Sequence, residues 1–354
     1  MRILVIRRDN IGDLVCTTPL FAAVRTRYPQ AHVAALVNSY NAAVLDGNPH
    51  LDAVHSYTKL KHRLPGESRL GILFARVQML ARLRREHFDY VVLAKAGFDR
   101  HGLSLACRLR HRHIVGFTEP GKPAPGSITI PVPGLAYNDL HEVEVMKRLA
   151  EAIDVHDAGG PLRVYPVPAR MDAWRARFPA LAEHGGRVWI AAHISAREPA
   201  CRWPIGRWVE LIERLAAKGT TGVVLLWAPG SANDPCHPGD DDKAAAIMEQ
   251  ADRASVLAAS TVELADLIAA LALCDAFIGA DGGAMHLAAA LGLPTVALFE
   301  NLESKKRRWH PWQVPHVLVA PATRDIADIT VEQVVQGWQR LAPRVASREA
   351  AAAI

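Results

Sequence analysis

Asp281-Gly282-Gly283-Ala284-Met285-His286-Leu287-Ala288-Ala289-Ala290-Leu291 is the stretch whose reading decides the fold. The apolar run Asp275 to Gly279 before it reads as a buried strand, and Pro294 to Phe299 after it reads as another. Between them lie a turn with two glycines and an Ala/Leu-rich helix. A strand–turn–helix–strand unit leaves a helix N-terminus free to hold an anion. Gly282 and Gly283 present no Cβ where a phosphate would approach the backbone. His286, in the first turn, could hydrogen-bond the same anion. On spacing alone a plainer reading stands beside this one: an ordinary β–α turn with Asp281 as N-cap and His286 on the surface.

Working outward, the same alternation fills the chain. Strands are expected at Arg2–Arg7, His32–Val37, Leu51–Tyr57, Asp89–Ala94 and Ile114–Phe117. One helix is expected over Leu14–Tyr28 and another over Asn138–Ile153, with a Pro/Gly-rich loop at Glu119–Pro133. Gly159 to Pro168, with three prolines and two glycines, reads as a domain boundary. The pattern then restarts with strands at Val188–His193, Gly222–Trp227 and Ala254–Ala258, and helices at Ile205–Lys218, Asp241–Arg253 and Val262–Leu273. A last strand is expected at Val317–Ala320 and a last helix at Val331–Leu341. Strands alternating with helices imply α/β domains with parallel sheets. The expected layout is a first Rossmann-like domain at 1–160, a linker and short helix at 161–186, and a second Rossmann-like domain at 187–325. A terminal helix at 326–345 and a frayed tail at 346–354 complete it.

Composition sets further bounds. The chain has 354 residues, half of them hydrophobic, which suits two domains. No apolar run approaches a membrane span, and Met1–Arg7 is a strand pattern without the long apolar region of a signal peptide. Five scattered cysteines form no C-x-x-C, which argues against disulfides or structural zinc and for a reducing cytosol. The net charge of +5 and pI near 9.0 favour anionic partners such as a nucleotide, a phosphorylated glycolipid or a membrane surface. No nucleic-acid-binding signature accompanies that charge. Neither half carries G-x-G-x-x-G after its first strand, and no Walker A motif occurs, so a dehydrogenase and a P-loop kinase are disfavoured.

Residues just beyond the C-terminal ends of parallel strands face the ligand crevice. Asp13 occupies the first such turn, in Arg7-Arg8-Asp9-Asn10-Ile11-Gly12-Asp13, and reads either as a reactive carboxylate or as a helix cap. His193 and Ser195 follow the first strand of the second half. Lys59 to His87 carries eight Lys/Arg against two Glu, with apolar residues interleaved. It reads as a crossover helix with a solvated basic face, or as a contact for anionic lipid or a phosphorylated acceptor. Asp234, Asp240, Asp241 and Asp242 with His237 lie in a polar loop whose irregular spacing favours solvation over a metal site.

Together these motifs resemble glycosyltransferase family 9, the ADP-heptose:lipopolysaccharide heptosyltransferases. The resemblance spans nearly the whole chain. It rests on Arg7-x-Asp9-Asn10-Ile11-Gly12-Asp13 with Thr18-Pro19, and on Gly47-Asn48-Pro49 with Asp52. It rests also on Arg202-Trp203-Pro204 and on Ile278 to Ala288 with Gly292-x-Pro294-Thr295.

The resemblance implies a GT-B fold: two Rossmann-like domains facing across a cleft, with the last helix returning to the first domain. It implies an inverting, metal-independent transfer of heptose from ADP-heptose to a lipopolysaccharide core or related surface glycan. No cofactor is implied beyond the nucleotide-sugar co-substrate. Asp13 is implied as the general base, with Asn10 and Gly12 on the acceptor side. Asp281, Gly282, Gly283, Ala284 and His286 are implied as the donor diphosphate site. His193, Ser195, Arg197 and Arg202 are further donor contacts.

The chain departs from the family pattern at two positions. Gly282 stands where a threonine is common, and Cys201 where a lysine often sits. Arg202 and Arg197 are the candidates for the missing charge; the basic run from Lys305 to Arg308 reads as bordering the nucleotide cleft, where it could meet phosphates, or equally as a solvated loop. The implied partners are a nucleotide sugar and a lipid-linked or core oligosaccharide, and no nucleic acid. The implied location is the cytoplasm, with peripheral contact at the cytoplasmic face of the inner membrane as a further option. Two other readings stay open: a GT-B enzyme, transferase or epimerase, using another nucleotide sugar, and a catalytically silent nucleotide-sugar-binding partner.

Overall fold

A computed structural model describes the chain except residues 60–67, 135–138, 184–185, 218, 235–237, 253–254 and 353–354, and except the side chains of 346–352. Cys236 and His237 of the polar loop lie outside the described residues, as does part of the basic stretch after Lys59. The chain forms two units, Met1–Arg163 and Val164–Ile354, which divide inside the expected Pro/Gly boundary.

The first unit runs β1 (Arg2–Ile6), α1 (Ile11–Val15), α2 (Thr18–Arg27), β2 (His32–Asn38), β3 (Ala53–Tyr57), α3 (Arg69–Glu86), β4 (Phe88–Leu93), α4 (Arg100–Ala106), β5 (His111–Phe117), β6 (Ile130–Val132) and α5 (Glu142–Glu151). Its six-stranded sheet has the order β3-β2-β1-β4-β5-β6, with all neighbouring strands parallel. β1 sits at the centre, so it is covered on both faces. That is why its sequence is a continuous apolar run rather than an alternating one.

The helix expected over Leu14–Tyr28 is two helices. Pro19, at the start of α2, has no N–H to continue α1 and its ring would crowd the preceding turn. Thr17 and Thr18 donate their hydroxyls to the carbonyls of Asp13 (2.8 Å) and Val15 (2.7 Å), which completes the break. β6 forms inside the stretch expected to be loop. α4 was not expected; Asp99 starts it by accepting from the Gly102 N–H at 2.9 Å.

The second unit runs α6 (Pro168–Arg177), α7 (Pro179–Glu183), β7 (Val188–His193), α8 (Ile205–Ala216), β8 (Thr221–Trp227), α9 (Asp241–Gln250), β9 (Val256–Ser260), α10 (Leu264–Ala272), β10 (Ala276–Ala280), α11 (Gly283–Ala290), β11 (Thr295–Leu298), α12 (Glu303–Trp309), β12 (His316–Val319) and α13 (Val331–Ala352). Its sheet order, β12-β11-β10-β7-β8-β9, repeats that of the first unit with parallel pairings. Each sheet has its own apolar core. In each, the strand order reverses beside the first strand, between β1 and β4 and between β7 and β10. Open α/β sheets bind ligands at that reversal. α13 packs on α8, β11 and β12, and its helix continues through the stretch expected to fray as far as Ala352.

Candidate active site

The first cluster forms beyond β1. Arg7 follows the strand, and its side chain is 1% exposed. Its guanidinium donates to the Ala94 carbonyl after β4 (2.6 Å), to Asp13 Oδ1 (2.6 Å) and to Glu142 Oε1 at the start of α5 (2.7 Å). Burial pulls the guanidinium down, but the charges of Glu142, Asp13 and Asp9 more than offset it and hold it above its ordinary range. Burial also raises the Asp9 carboxyl, against the pull of Arg7.

Asp13 is held through both of its carboxylate oxygens. Its Oδ2 accepts the Asn10 N–H at 3.0 Å as an N-terminal cap of α1, and its Oδ1 is aimed by Arg7. Its side chain keeps 16% of its surface open. The turn before it is held by three side chains, Asn38, Tyr40 and Asn41, which donate to the Asp9 carbonyl. Asn10 is exposed and Gly12 is buried in α1.

The second cluster forms beyond β10, β11 and β7, three neighbouring strands. α11 starts at Gly283, and its N-cap is Gly282 rather than Asp281. Gly282 offers no side chain to its first amides, so the N–H groups of Gly283 and Ala284 point out of the helix end without a side-chain cap. Its backbone is extended and a Cβ there would meet open space. Gly279 is different: a Cβ would come within 2.7 Å of the Phe277 ring and 3.2 Å of the His193 carbonyl, so only glycine lets β10 lie this close to β7. His286 is 2% exposed and packs edge-on against Trp309, ring centroids 5.8 Å apart. It is not the surface residue of the plainer reading.

Asp281 turns away from the helix end. Its Oδ2 lies 3.2 Å from Lys305 Nζ, which also reaches Glu300 Oε2 (2.5 Å) and Cys201 Sγ (3.7 Å). Burial raises the Asp281 carboxyl to about 6, against the opposing charge of Lys305. Lys305 sits above its ordinary range: burial lowers it, and its hydrogen bond to Glu300 and the Asp281 charge outweigh that.

The remaining expected residues line the β7 side. Burial and then the Lys243 charge push His193 down to about 4, so its imidazole is neutral near pH 7. Ser195 Oγ accepts the Ala228 N–H at 3.0 Å. Arg202 donates to the carbonyls of Ala196 (3.1 Å) and Arg197 (3.4 Å), which clasps the loop after β7. Trp203 is buried and donates Nε1–H to the Ile329 carbonyl at 3.0 Å. Of the polar-loop aspartates, Asp241 is committed to that loop, accepting from Trp227 Nε1 (2.7 Å) and the Gly230 N–H (2.8 Å).

Two functional candidates escaped the sequence reading, Arg7 and Lys243, and a third, Lys305, was not singled out within its run. Arg7 looked like the polar end of a strand. Lys243, on α9, donates to the Ile194 carbonyl at 2.9 Å, and burial lowers its ammonium to about 8. Lys305 lay in a basic run read as either cleft border or loop, because Glu303 to Arg308 has no apolar periodicity to mark α12.

The chain resembles known proteins along most of its length. The family Glycosyltransferase family 9 (heptosyltransferase) matches residues 76–338. "Lipopolysaccharide heptosyltransferase 2" of Salmonella typhimurium is 38% identical over 84% of this chain and 82% of its own length. Among solved structures, a glycosyl transferase of family 9 from Veillonella parvula superposes with a TM-score of 0.80 at 18% identity, covering 96% of each chain. The ADP-heptose lps heptosyltransferase II of E. coli superposes at 0.71 and 19% identity, covering 99% of this chain and all of that one. Two Rossmann-like units with these sheet orders, and these neighbours, place the fold in the GT-B class, and the chain belongs to glycosyltransferase family 9.

Proposed function

We propose that the protein is an inverting glycosyltransferase that moves a heptose from ADP-heptose to a lipopolysaccharide core or related surface-glycan acceptor. The observation that carries this reading is Asp13, a partly open carboxylate aimed by a buried arginine at the ligand-binding end of the first sheet. A single-displacement transfer needs one such base. The acceptor oxygen forms a bond to the anomeric carbon as its proton passes to Asp13. The bond from that carbon to the diphosphate breaks, and its electron pair leaves with ADP. The heptose and the ADP come from the names of the relatives, and the site supports them without excluding another nucleotide sugar.

In the second unit the amides of Gly283 and Ala284 and the α11 dipole are suited to a diphosphate. Asp281, an acceptor, suits sugar hydroxyls better than phosphate oxygens. His193 and Ser195 border the same end of the sheet. No metal enters this scheme; the charge growing on the leaving group is met by amides and side chains. The test is transfer by the purified protein from ADP-heptose to heptose-deficient lipopolysaccharide, read by mass spectrometry. Gain of one heptose per acceptor supports the reading. Transfer from a UDP- or GDP-sugar alone overturns the donor, and no transfer from any of them overturns the enzyme.

The acceptor's lipid end calls for a membrane surface. Among the described residues no helix is long and apolar enough to cross a membrane. α3, however, exposes Leu70 (78%), Leu73 (57%), Phe74 (64%) and Val77 (55%), spaced as one helical stripe, with Arg84 and Arg85 further along the same side. Apolar residues that insert and arginines that meet anionic headgroups are the two components of an interfacial helix. Cosedimentation with phosphatidylglycerol vesicles checks this. Binding should weaken several-fold in the variant Leu73→Glu/Phe74→Glu, and equal binding by both proteins would remove the role.

A further inference from the structure

Lys305 is placed as a ligand-binding cation would be. Its ammonium lies over the ends of β10, β11 and β7, because its three partners come from the segments that follow those strands. Asp281 follows β10, Glu300 follows β11, and Cys201 ends the short 3-10 turn Pro199–Cys201 after β7. These three strands are neighbours in the sheet. The side chain is 23% exposed, so the group is both anchored and reachable.

An ammonium has three N–H donors. Two meet carboxylates. The third meets the Cys201 thiol at 3.7 Å, and a thiol sulfur is a weak acceptor. Burial keeps that thiol protonated and neutral. Arg202 and Lys243, two cations of the loop after β7 and of α9, donate to backbone carbonyls: Arg202 to Ala196 and Arg197, and Lys243 to Ile194. The α11 amides beyond the same strand supply donors but no full charge.

We propose that Lys305 is the cation that receives the diphosphate of the sugar nucleotide, a phosphate oxygen replacing the Cys201 thiol as its third partner. The proposal rests on the nucleotide-sugar reading of this site. Asp281 and Glu300 hold the ammonium in place and leave one donor to give. The lysine thus stabilises the charge that grows on the leaving group, alongside the α11 amides.

Calorimetric titration of the full-length protein with ADP, UDP and GDP first identifies the nucleoside diphosphate bound. Lys305→Met and the double variant Cys201→Lys/Lys305→Met are then titrated with that diphosphate and with its parent nucleoside. The Met variant should lose at least about tenfold in affinity for the diphosphate, the scale of a charged hydrogen bond. Nucleoside affinity should stay within about twofold of wild type, which also reports that the site is folded. A lysine at 201 starts beside the same point, so the double variant should recover most of the loss. Equal loss for nucleoside and diphosphate would make Lys305 a structural pin and overturn the proposal, as would unchanged diphosphate affinity. A double variant that stays at the Met level overturns the placement of the charge beside Cys201. A wild type that binds none of the three diphosphates overturns the nucleotide-sugar reading itself, and Lys305 with it.

Discussion

Each unit places one cation among carboxylates at the reversal point of its sheet, three around Arg7 and two around Lys305, and the two arrangements differ in which member is exposed. In the first unit Arg7 joins Asp13 and Glu142 from within the protein, with both terminal nitrogens bonded to protein atoms and almost no exposed surface. In the second, Lys305 joins Asp281 and Glu300 from the rim and keeps part of its surface open. Where the cation is buried, the working end is the carboxylate it aims. Where the carboxylate is the less exposed member, as Asp281 is at 9% against 23% for Lys305, the proposed working end is the cation. On the proposed reading, one sheet plan yields a base site in one half and an anion site in the other.

Removing each buried member should separate the two arrangements. Arg7→Met removes the ion pair that Arg7 makes with Glu142, which is fully buried. Loss of one partner from a buried pair costs about 3–5 kcal/mol, so urea denaturation should show the first unit destabilised on that scale. A loss below about 1 kcal/mol would mean that Arg7 is not the element holding the base in place.

Asp281→Asn should have a smaller, pH-dependent effect. The Asp281 carboxyl titrates near 6 in the fold, above its unfolded value near 4. Its protonated form therefore contributes stability that is fully present below pH 4 and is lost as pH rises through 6. The Asn variant lacks that slope. Between pH 4.5 and 7.5 the wild type should lose about 2 kcal/mol relative to the variant. Parallel curves would show that Lys305 matches Asp281 as fully as Arg7 matches Asp13, and the contrast between the two units would dissolve.

Much of this was legible in the sequence, for identifiable reasons. Central parallel strands such as Ile3–Ile6 are apolar throughout, and the turn Asp281–Gly283 is marked by its glycines. Asp13 was legible as a base or as a cap, and the two readings are compatible in the structure: Oδ2 caps α1 while Oδ1 meets Arg7. The misses share a cause. α4 and α12 are short, and α12 is highly charged, so no apolar repeat announces them. The break at Cys16–Thr17 was concealed because Leu14 to Val24 keeps a helical apolar pattern across Pro19. Arg7 and Lys305 work through partners far away in sequence, at Glu142 and at Cys201, and a linear pattern carries no sign of such pairs. Position 201 was read as a lost charge; in three dimensions a charge lies beside it, brought by α12.

The central claim is that Asp13 takes the acceptor's proton. Asp13→Asn keeps an oxygen for Arg7 or for the Asn10 N–H, so the geometry of α1 survives while the base is removed. In the transfer assay with ADP-heptose and heptose-deficient lipopolysaccharide, this variant should turn over about 10²–10⁴-fold more slowly while still binding ADP. Turnover within about threefold of wild type, with folding intact, would contradict the account and leave Asp13 as a helix cap alone.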